Sequence, residues 1–188
     1  MAARVIWGWL AVALTGLMLA GCGEKPLVDE QGRVEVPIKG ETFRLELAAD
    51  DSKRVPGLGG RESIEADGGM LFAFREPAVM SFLMRDCLVA IDIAYLDSRG
   101  RVLKMYTMPA EPPRGEGEGE PGWLATDPDL TPAQRAQAAV YEARLPKYTS
   151  RYDAQFVIEL REGTLERLRV REGDQIALDW EALKRLAK

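Results

Sequence analysis

Residues 68–108 read GGMLFAFREPAVMSFLMRDCLVAIDIAYLDSRGRVLKMYTM, and this stretch decides the fold. Its apolar runs are separated by short polar segments, which is the pattern of successive β-strands joined by turns. The nearly all-apolar run Val79–Met84 predicts a strand that is buried on both faces. The segment Asp97–Gly100 combines residues that favour turns, so the runs on either side of it, 91–96 and 101–108, are predicted to pair as a hairpin.

Strand patterns continue on both sides of this stretch. Residues 33–38 and 41–48 alternate polar and apolar side chains around Lys39 and Gly40, which predicts a second hairpin. Pro37 cannot donate a hydrogen bond to a neighbouring strand, so its strand is predicted to lie at a sheet edge. Further strands are predicted at 70–74, 154–160 and 175–178, and a turn at 75–77. The predicted fold class is mainly β: a compact antiparallel β-sandwich or small barrel of about seven or eight strands with short peripheral helices.

Short helices are predicted around these strands. Thr131, Pro132 and Gln134 are the residue types of a capping box with proline at the first helical position, and Pro146 ends the helix that they begin. The thin apolar side of this helix is predicted to comprise Ala136, Val140 and Ala143, with Leu145 near its end. Asp179 is predicted to cap a C-terminal helix with Trp180, Leu183 and Leu186 along one side, and single turns are predicted within 53–58 and 164–170.

Composition excludes several functional classes. The chain has 188 residues, the length of one ordinary domain, with a formal net charge of −5 and a pI of about 5.0. This acidic balance argues against a nucleic-acid partner, which requires a clustered basic face. The chain contains no histidine, which is the commonest general base and metal ligand. It also lacks a glycine-rich phosphate loop and a paired-cysteine metal motif, so neither a cofactor nor a metal is predicted.

The N-terminal residues 1–21 are predicted to be a signal peptide. Arg4 precedes the apolar stretch Val5–Ala20, which is short for a transmembrane helix and ends in small residues. Leu19–Cys22 read LAGC and resemble the lipobox of bacterial lipoproteins closely. The resemblance implies cleavage before Cys22 and attachment of lipid, including palmitate, to that cysteine. The alternative is an ordinary signal peptide that is followed by a cysteine by chance.

Lipidation of Cys22 implies a location on a membrane face outside the cytoplasm, because several acyl chains anchor a protein stably. In a cell with two membranes, Gly23 after the cysteine favours the outer membrane. Residues 22–32 are then a polar tether, and 33–188 form a single β-rich domain. The predicted partners are the membrane, through the lipid on Cys22, and a small molecule or another envelope protein.

Residues 109–149 form an acidic, flexible insertion followed by the predicted helix. The segment PAEPPRGEGEGEPG within it is too rich in proline, glycine and glutamate to bury a core of its own. It is either a contact loop for a basic partner or cation, or an insertion that is simply solvated.

The candidate site lies in the deciding stretch. Asp86 and Asp92 are close in sequence and could meet across a turn as an acid–base pair or a cation site. Arg85, assisted by Arg61, could bind an anionic ligand. The structural alternative is that Asp92 fastens a turn through backbone N–H groups and that Asp86 pairs with Arg85 or Arg61. Cys87 has no histidine to activate it, so it is interpreted as a small core residue.

These motifs resemble a prokaryotic family, domain of unknown function 192. The resemblance spans roughly 42–178 and rests on five segments: Leu58 with Arg61, Gly69–Phe74, Phe82–Cys87, Ile91–Gly100, and Phe156–Leu160 with Gly163 and Gly173-Asp174. It implies a compact β-rich fold and supplies no mechanism, because the activity of the family is not established. The chain departs from the family pattern within Phe82–Cys87. It has Asp86 where the family often has asparagine, and Phe82-Leu83 where the family often has tryptophan.

Three functions from different classes follow from these observations. The first is a non-catalytic binding or accessory module tethered outside the cytoplasm, which requires accessible groups around Arg85. The second is a structural envelope interaction protein, which requires a buried, paired Asp92 and no cleft. The third is a hydrolase-like enzyme using Asp86 and Asp92, which requires both carboxylates to point into one cleft.

Overall fold

The computed structural model describes residues 26–188. The strands are β1 (Arg33–Ile38), β2 (Glu41–Ala48), β3 (Met70–Ala78), β4 (Ser81–Phe82), β5 (Ile91–Leu96), β6 (Val102–Met108), β7 (Tyr148–Thr149) and β8 (Ala154–Arg161). The helices are α1 (Asp51–Arg54), α2 (Pro132–Arg144), α3 (Thr164–Arg167) and α4 (Trp180–Leu186). The described part of the chain is therefore mainly β with short helices, as the sequence predicts.

Six of these strands form one mixed sheet in the order β1-β2-β3-β8-β5-β6. The β2–β3 pair is parallel and the other pairs are antiparallel, so the prediction of a purely antiparallel fold was wrong. The segment 49–69 carries the chain back to the same end of the sheet, which is what a parallel pair requires. The end strands β1 and β6 do not pair with each other, so the sheet is open and the predicted barrel is not formed. The strands β4 and β7 form a separate ladder of two residues each.

Two apolar layers cover the sheet. One layer, here the helix face, contains Leu45, Phe156 and Ile158 of the sheet together with Trp180 and Leu183 of α4. The other layer, here the groove face, has these main members: Leu58, Ile64, Met70, Phe72, Met84, Cys87, Ile93, Tyr95 and Val157. Because successive side chains of a strand point to opposite faces, each central strand contributes to both layers.

Both predicted hairpins are confirmed. In the first, Lys39 and Gly40 adopt positive φ angles of 50° and 88°, the conformation that suits a two-residue turn between twisted strands. Its strand β1 lies at the sheet edge, as Pro37 predicts. In the second, the Asp97 carboxylate accepts hydrogen bonds from the backbone N–H groups of Arg99 and Arg101 at 2.8 and 2.9 Å. This pattern closes the turn between β5 and β6.

Two strand predictions and one turn prediction were wrong in detail. The run 79–84 forms only the two-residue strand β4, and Val79 is 59% exposed, because the segment leaves the sheet and packs across it. The predicted turn at 75–77 lies inside β3, which continues to Ala78 through an irregular register opposite β8. The predicted strand 175–178 is reduced to one bridge between Arg101 and Gln175.

The two longer helices form where their caps predict. Thr131 and Gln134 complete the capping box of α2, and the Asp179 carboxylate accepts from the N–H of Ala182 at the start of α4. Leu145 at the end of the helix is buried, as predicted, but the rest of the buried side of α2 was predicted wrongly: it consists of Ala138 and Tyr141, whereas Ala136, Val140 and Ala143 face solvent. One large aromatic ring, Tyr141, decides which side of this helix is buried.

The predicted signal peptide, the predicted lipidation site Cys22 and the first residues of the tether lie outside the described residues. From Pro26 onwards the tether contacts the sheet, since Val28 forms a bridge with Val34 and Asp29 binds Arg33. Within 26–188, none of the helices has the length and apolar character needed to cross a membrane.

Candidate functional site

A groove runs over the groove face of the sheet between three segments, 54–60, 81–87 and 121–126. Two cavities of about 330 and 350 Å³ lie along it, and both are lined by Val55, Arg85 and Leu124. A third, smaller cavity of about 50 Å³ lies deeper, between Phe72, Phe82, Arg85 and Glu159. Arg85 therefore borders all three cavities.

Two glycines allow the first wall of the groove to approach the second. The N–H of Gly60 donates to the carbonyl of Asp86 at 2.9 Å. A Cβ atom at Gly59 would lie 3.0 Å from the carbonyl oxygen of Pro56 and 3.2 Å from that of Arg85. The sequence Gly57-Leu58-Gly59-Gly60 thus brings two backbones together where larger residues would separate them.

Arg85 is the cation of the groove that keeps unused hydrogen-bond donors. Its Nη2 donates to the carbonyl of Val55 at 2.6 Å, and its Nη1 lies 3.6 Å from Glu142 Oε1, which is beyond ordinary hydrogen-bond length. The side chain is 22% exposed. A guanidinium carries five N–H donors. Most of those on Arg85 have no hydrogen-bond partner among the described residues and are therefore free for a ligand.

Asp86 is held in a left-handed conformation with φ of 54°, which aspartate and asparagine adopt more readily than most residues. Its carboxylate accepts two hydrogen bonds from Arg114, at 2.7 and 2.9 Å, and one from the N–H of Gly122 at 3.0 Å. Burial opposes ionisation, but the bonds from Arg114 and Gly122 outweigh it and lower the pKa of Asp86. Asp86 is therefore an ionised group whose oxygen atoms are already occupied.

The insertion is packed against the groove rather than freely solvated. Arg114, only 4% exposed, also donates to the carbonyls of Glu118 and Trp123 and stacks over the ring of Tyr141 at 4.0 Å. Arg144 of α2 binds Glu118 at 2.7 Å. The predicted ion pair of Asp86 exists, but its partner is Arg114 of the insertion and not Arg85 or Arg61.

Asp92 lies on the opposite face of the sheet and does not meet Asp86. Its neighbours Ile91 and Ile93 point into the groove face, so Asp92 points into the helix face, where it is 1% exposed. There its carboxylate accepts from Thr107 Oγ1 and from the backbone N–H of Leu165, both at 2.8 Å. Asp92 thus fastens the start of α3 to the sheet, which is the role that the structural alternative assigned to it.

Arg61 also lies away from the groove. It forms a bidentate salt bridge with Glu46, with hydrogen bonds of 2.5 and 2.8 Å, beside Arg44 and Asp67 on the surface. Of the four candidate ligand-binding residues, only Arg85 and Asp86 come together. Within residues 26–188, no cluster of three acidic or cysteine side chains is placed to hold a metal ion.

The floor of the groove holds two titratable groups. Burial raises the pKa of the Cys87 thiol to about 12, and the nearby Glu159 adds to this rise, so the thiol stays protonated at neutral pH. Glu159 is 6% exposed, and burial raises its pKa to about 8. Neither hydrogen bond nor ion pair joins the Glu159 carboxyl group to any residue of the described chain.

The sequence profile of one family matches residues 34–178: DUF192, described as an uncharacterized ACR. The chain belongs to the DUF192 family. A search of curated protein sequences finds no match.

Two solved structures resemble this DUF192 chain. One is a proposed transcription regulator from Sinorhizobium meliloti, 25% identical, with a TM-score of 0.54, covering 77% of this chain and 91% of the other. The second is a protein of unknown function from Novosphingobium aromaticivorans, 20% identical, with a TM-score of 0.56, covering 87% of this chain and 99% of the other. The second likeness shows the fold alone.

Sequence reasoning missed two residues of the candidate site of this DUF192 domain. Arg114 lies in the insertion, whose composition predicts a flexible segment without a core. Nothing in the sequence around Arg114 indicates its hydrogen bond to Asp86. For Glu159 the sequence did contain an indication, because this acid lies within the mostly apolar run AQFVIEL. The structure shows that every residue of this run is buried. An ionisable residue in such a strand must find a partner, change its pKa or face a cavity.

Proposed function

We propose that this protein is a lipid-anchored binding module outside the cytoplasm, and that its groove binds a small organic anion. The observation that carries the binding proposal is the position of Arg85, whose side chain borders all three cavities and retains free donors. Guanidinium groups bind carboxylates and phosphates well because their donors match the geometry of these anions. A ligand anion would replace the weak 3.6 Å contact between Arg85 and Glu142.

The groups of the groove favour binding over catalysis. Asp86 is occupied by Arg114 and Gly122, and Asp92 is on the other face of the sheet. Cys87 remains a thiol at neutral pH, because its pKa is raised to about 12. A hydrolytic pair of carboxylates therefore lacks one member, whereas ligand binding requires only the groove and Arg85.

The likeness to a proposed transcription regulator does not carry a nucleic-acid function to this chain. The formal net charge of −5 would oppose an approach to phosphate groups. The alternative that we retain is a structural envelope interaction protein. Of its two requirements, a buried and paired Asp92 is met, whereas the absence of a cleft is not, since the groove is present.

The anchor is tested by cell fractionation of a Cys22→Ala variant. Loss of the lipid attachment site should move the protein from the membrane fraction to the soluble fraction. The matched control is Cys87→Ala, which removes a buried thiol and should leave the protein in the membrane fraction. Membrane retention of the processed Cys22→Ala protein would contradict the lipid anchor.

The binding proposal is tested by thermal shift of the full chain, purified in mild detergent, against small carboxylates, phosphates and neutral sugars. A ligand at about 100 times its dissociation constant should stabilise the fold by about 2.7 kcal/mol. Arg85→Gln should abolish the shift. Arg61→Gln removes an arginine outside the groove and should preserve it. An equal shift in the wild type and Arg85→Gln, or no shift with any anion, would favour the structural alternative.

A further inference from the structure

Glu159 is a buried acid whose carboxyl group faces a cavity instead of a partner. It lies on β8 at the centre of the sheet, 6% exposed, and lines the 50 Å³ cavity beside Phe72 and Phe82. The other buried carboxylate of the sheet, Asp92, has both oxygen atoms bonded within the described chain, at 2.8 Å each. The fold therefore satisfies one central acid internally and leaves the other to whatever occupies the cavity.

The small cavity joins the wider groove at Arg85. Phe82, Leu83 and Val55 line both the small cavity and the 330 Å³ cavity above it. Phe82 packs edge to face against Phe72 at 5.1 Å between ring centroids, which gives the small cavity apolar walls. A ligand in the groove can thus place one small group beside Glu159 while the rest lies near Arg85.

The second arginine of the cavity wall has no donor to offer. Each N–H of the Arg54 guanidinium is engaged, with Asp51 and with the carbonyl oxygens of Ala49, Ala73 and Lys188. The thiol of Cys87, which also lines the small cavity, donates to the carbonyl of Arg85 at 3.6 Å. The side chains of this cavity that keep strong hydrogen-bonding groups for a ligand are therefore Arg85 and Glu159.

The size and charge of the cavity define the group that fits beside Glu159. A cavity of about 50 Å³ is far smaller than the two cavities of 330 and 350 Å³ but exceeds the roughly 10–15 Å³ that one water molecule needs, so it admits a small group and not a whole ligand. A hydroxyl or hydroxymethyl group matches this volume. An ammonium group is disfavoured because two guanidinium groups, of Arg54 and Arg85, line the same cavity. A methyl group would leave the carboxyl group without a partner.

The protonation state of Glu159 suits a hydroxyl group. With a pKa raised to about 8 by burial, the side chain is mainly a neutral carboxylic acid at pH 7. A neutral carboxylic acid offers one donor and one acceptor, and a hydroxyl group offers the complementary acceptor and donor.

We propose that the groove binds a hydroxylated organic anion, with its anionic group on Arg85 and one hydroxyl group in the small cavity on Glu159. This inference rests on the proposed function and specifies its ligand class. Because Arg85 and Glu159 both line the small cavity, the anionic group and this hydroxyl group are close together in the ligand, and the wider cavities leave room for the rest of its carbon chain.

The experiment compares three probes of similar length by titration calorimetry on the full chain in mild detergent. Gluconate carries both a carboxylate and hydroxyl groups, hexanoate carries only the carboxylate, and sorbitol carries only hydroxyl groups. Gluconate should bind at least about tenfold more tightly than either of the others, since it alone makes both contacts.

Two Glu159 variants separate hydrogen bonding from packing. Glu159→Gln keeps a neutral donor and acceptor and should bind gluconate within about threefold of the wild type. Glu159→Met keeps the length but removes both polar groups, and should bind gluconate no more tightly than hexanoate. The melting temperature of each variant establishes that it is folded before titration.

The outcomes distinguish this inference from the proposed function. If hexanoate binds the wild type as tightly as gluconate, or if Glu159→Met keeps the preference for gluconate, the hydroxyl contact is overturned while anion binding at Arg85 stands. If Arg85→Gln binds gluconate as the wild type does, both proposals fail. If neither gluconate nor hexanoate binds the wild type, this inference is overturned, and anion binding at Arg85 is decided by the wider thermal-shift panel.

Discussion

At the scale of single residues, Glu159 couples the stability of the fold to pH. Its pKa in the folded chain is about 8, above the ordinary value of about 4.3, so the folded state binds this proton more tightly than the unfolded state. The stabilisation is fully present below about pH 4 and is lost as the pH rises towards and through about 8. The positive charge of Arg61, which lies outside the groove, partly opposes the rise in the pKa of Glu159. The nearby side chains of Cys87 and Tyr95 carry no positive charge that could balance an ionised Glu159.

We therefore expect Glu159→Gln to flatten this pH dependence. Above about pH 8 the variant should melt at least about 4 °C higher than the wild type, because each kcal/mol shifts the melting temperature of such a chain by roughly 2–4 °C. Thermal melts from about pH 4 to pH 9 measure the difference. The exposed Glu162→Gln serves as the matched control and should follow the wild type. Parallel curves for Glu159→Gln and wild type would show that Glu159 does not titrate in this range.

Asp92 is expected to act through stability alone. Asp92→Ala leaves the N–H of Leu165 and the hydroxyl of Thr107 without their acceptor inside the helix face, which should cost about 2–5 kcal/mol of unfolding free energy. Denaturant melts measure this loss, and the exposed Asp129→Ala should change stability by less than about 0.5 kcal/mol. Unchanged stability of Asp92→Ala would mean that these bonds are not maintained in solution.

At the scale of elements, Arg114 joins the insertion to the groove and to α2. Its guanidinium binds Asp86 twice and two carbonyls of the insertion while it covers the ring of Tyr141. Removing it should release the segment that carries Glu116, Glu118 and Glu120. This segment is rich in glycine and has no apolar core of its own to keep it in place.

We expect Arg114→Ala to be cleaved in this segment by a glutamate-specific protease about tenfold faster than the wild type, which corresponds to a loss of about 1.4 kcal/mol of local stability. Arg99→Ala removes an exposed arginine elsewhere and should be cleaved at the wild-type rate. Equal cleavage of Arg114→Ala and wild type would show that other contacts hold the insertion.

The elements that the sequence could predict are those that depend on residues close together in the chain. Both hairpins and the cap of α2 depend on neighbouring residues, such as Lys39-Gly40 or Thr131 with Gln134, and the sequence pattern identified them. The pairing of β8 with β3 and β5, and the bond from Arg114 to Asp86, join residues far apart in the chain. A single sequence contains no local signal for such contacts, so the mixed sheet and the covered Asp86 were missed.

At the scale of the whole molecule, α4 closes the helix face beyond the end of the family match at residue 178. Trp180 is 5% exposed, packs 4.7 Å from the ring of Phe156 and donates from Nε1 to the carbonyl of Ile176 at 2.9 Å. Gly100 accommodates it, since a Cβ atom there would lie 2.0 Å from Trp180 Nε1. This helix is therefore part of the core although it follows the matched region.

Trp180→Ala should lower the free energy of unfolding by about 3–5 kcal/mol, as expected for a large buried aromatic residue. Leu186→Ala, on the same helix but 42% exposed, should cost less than about 1 kcal/mol. Chemical denaturation compares the two variants with the wild type. Similar small losses for both would indicate that α4 is not packed on the sheet.

The central place of β8 also governs the order in which the protein can form. This strand comes late in the chain, at Ala154–Arg161, yet it lies between β3 and β5. A nascent chain that ends before it exposes two unpaired strand edges at once, and such edges invite association with other chains. Glu159 enters with the same strand, so the sheet becomes continuous and the floor of the groove is completed in a single late step.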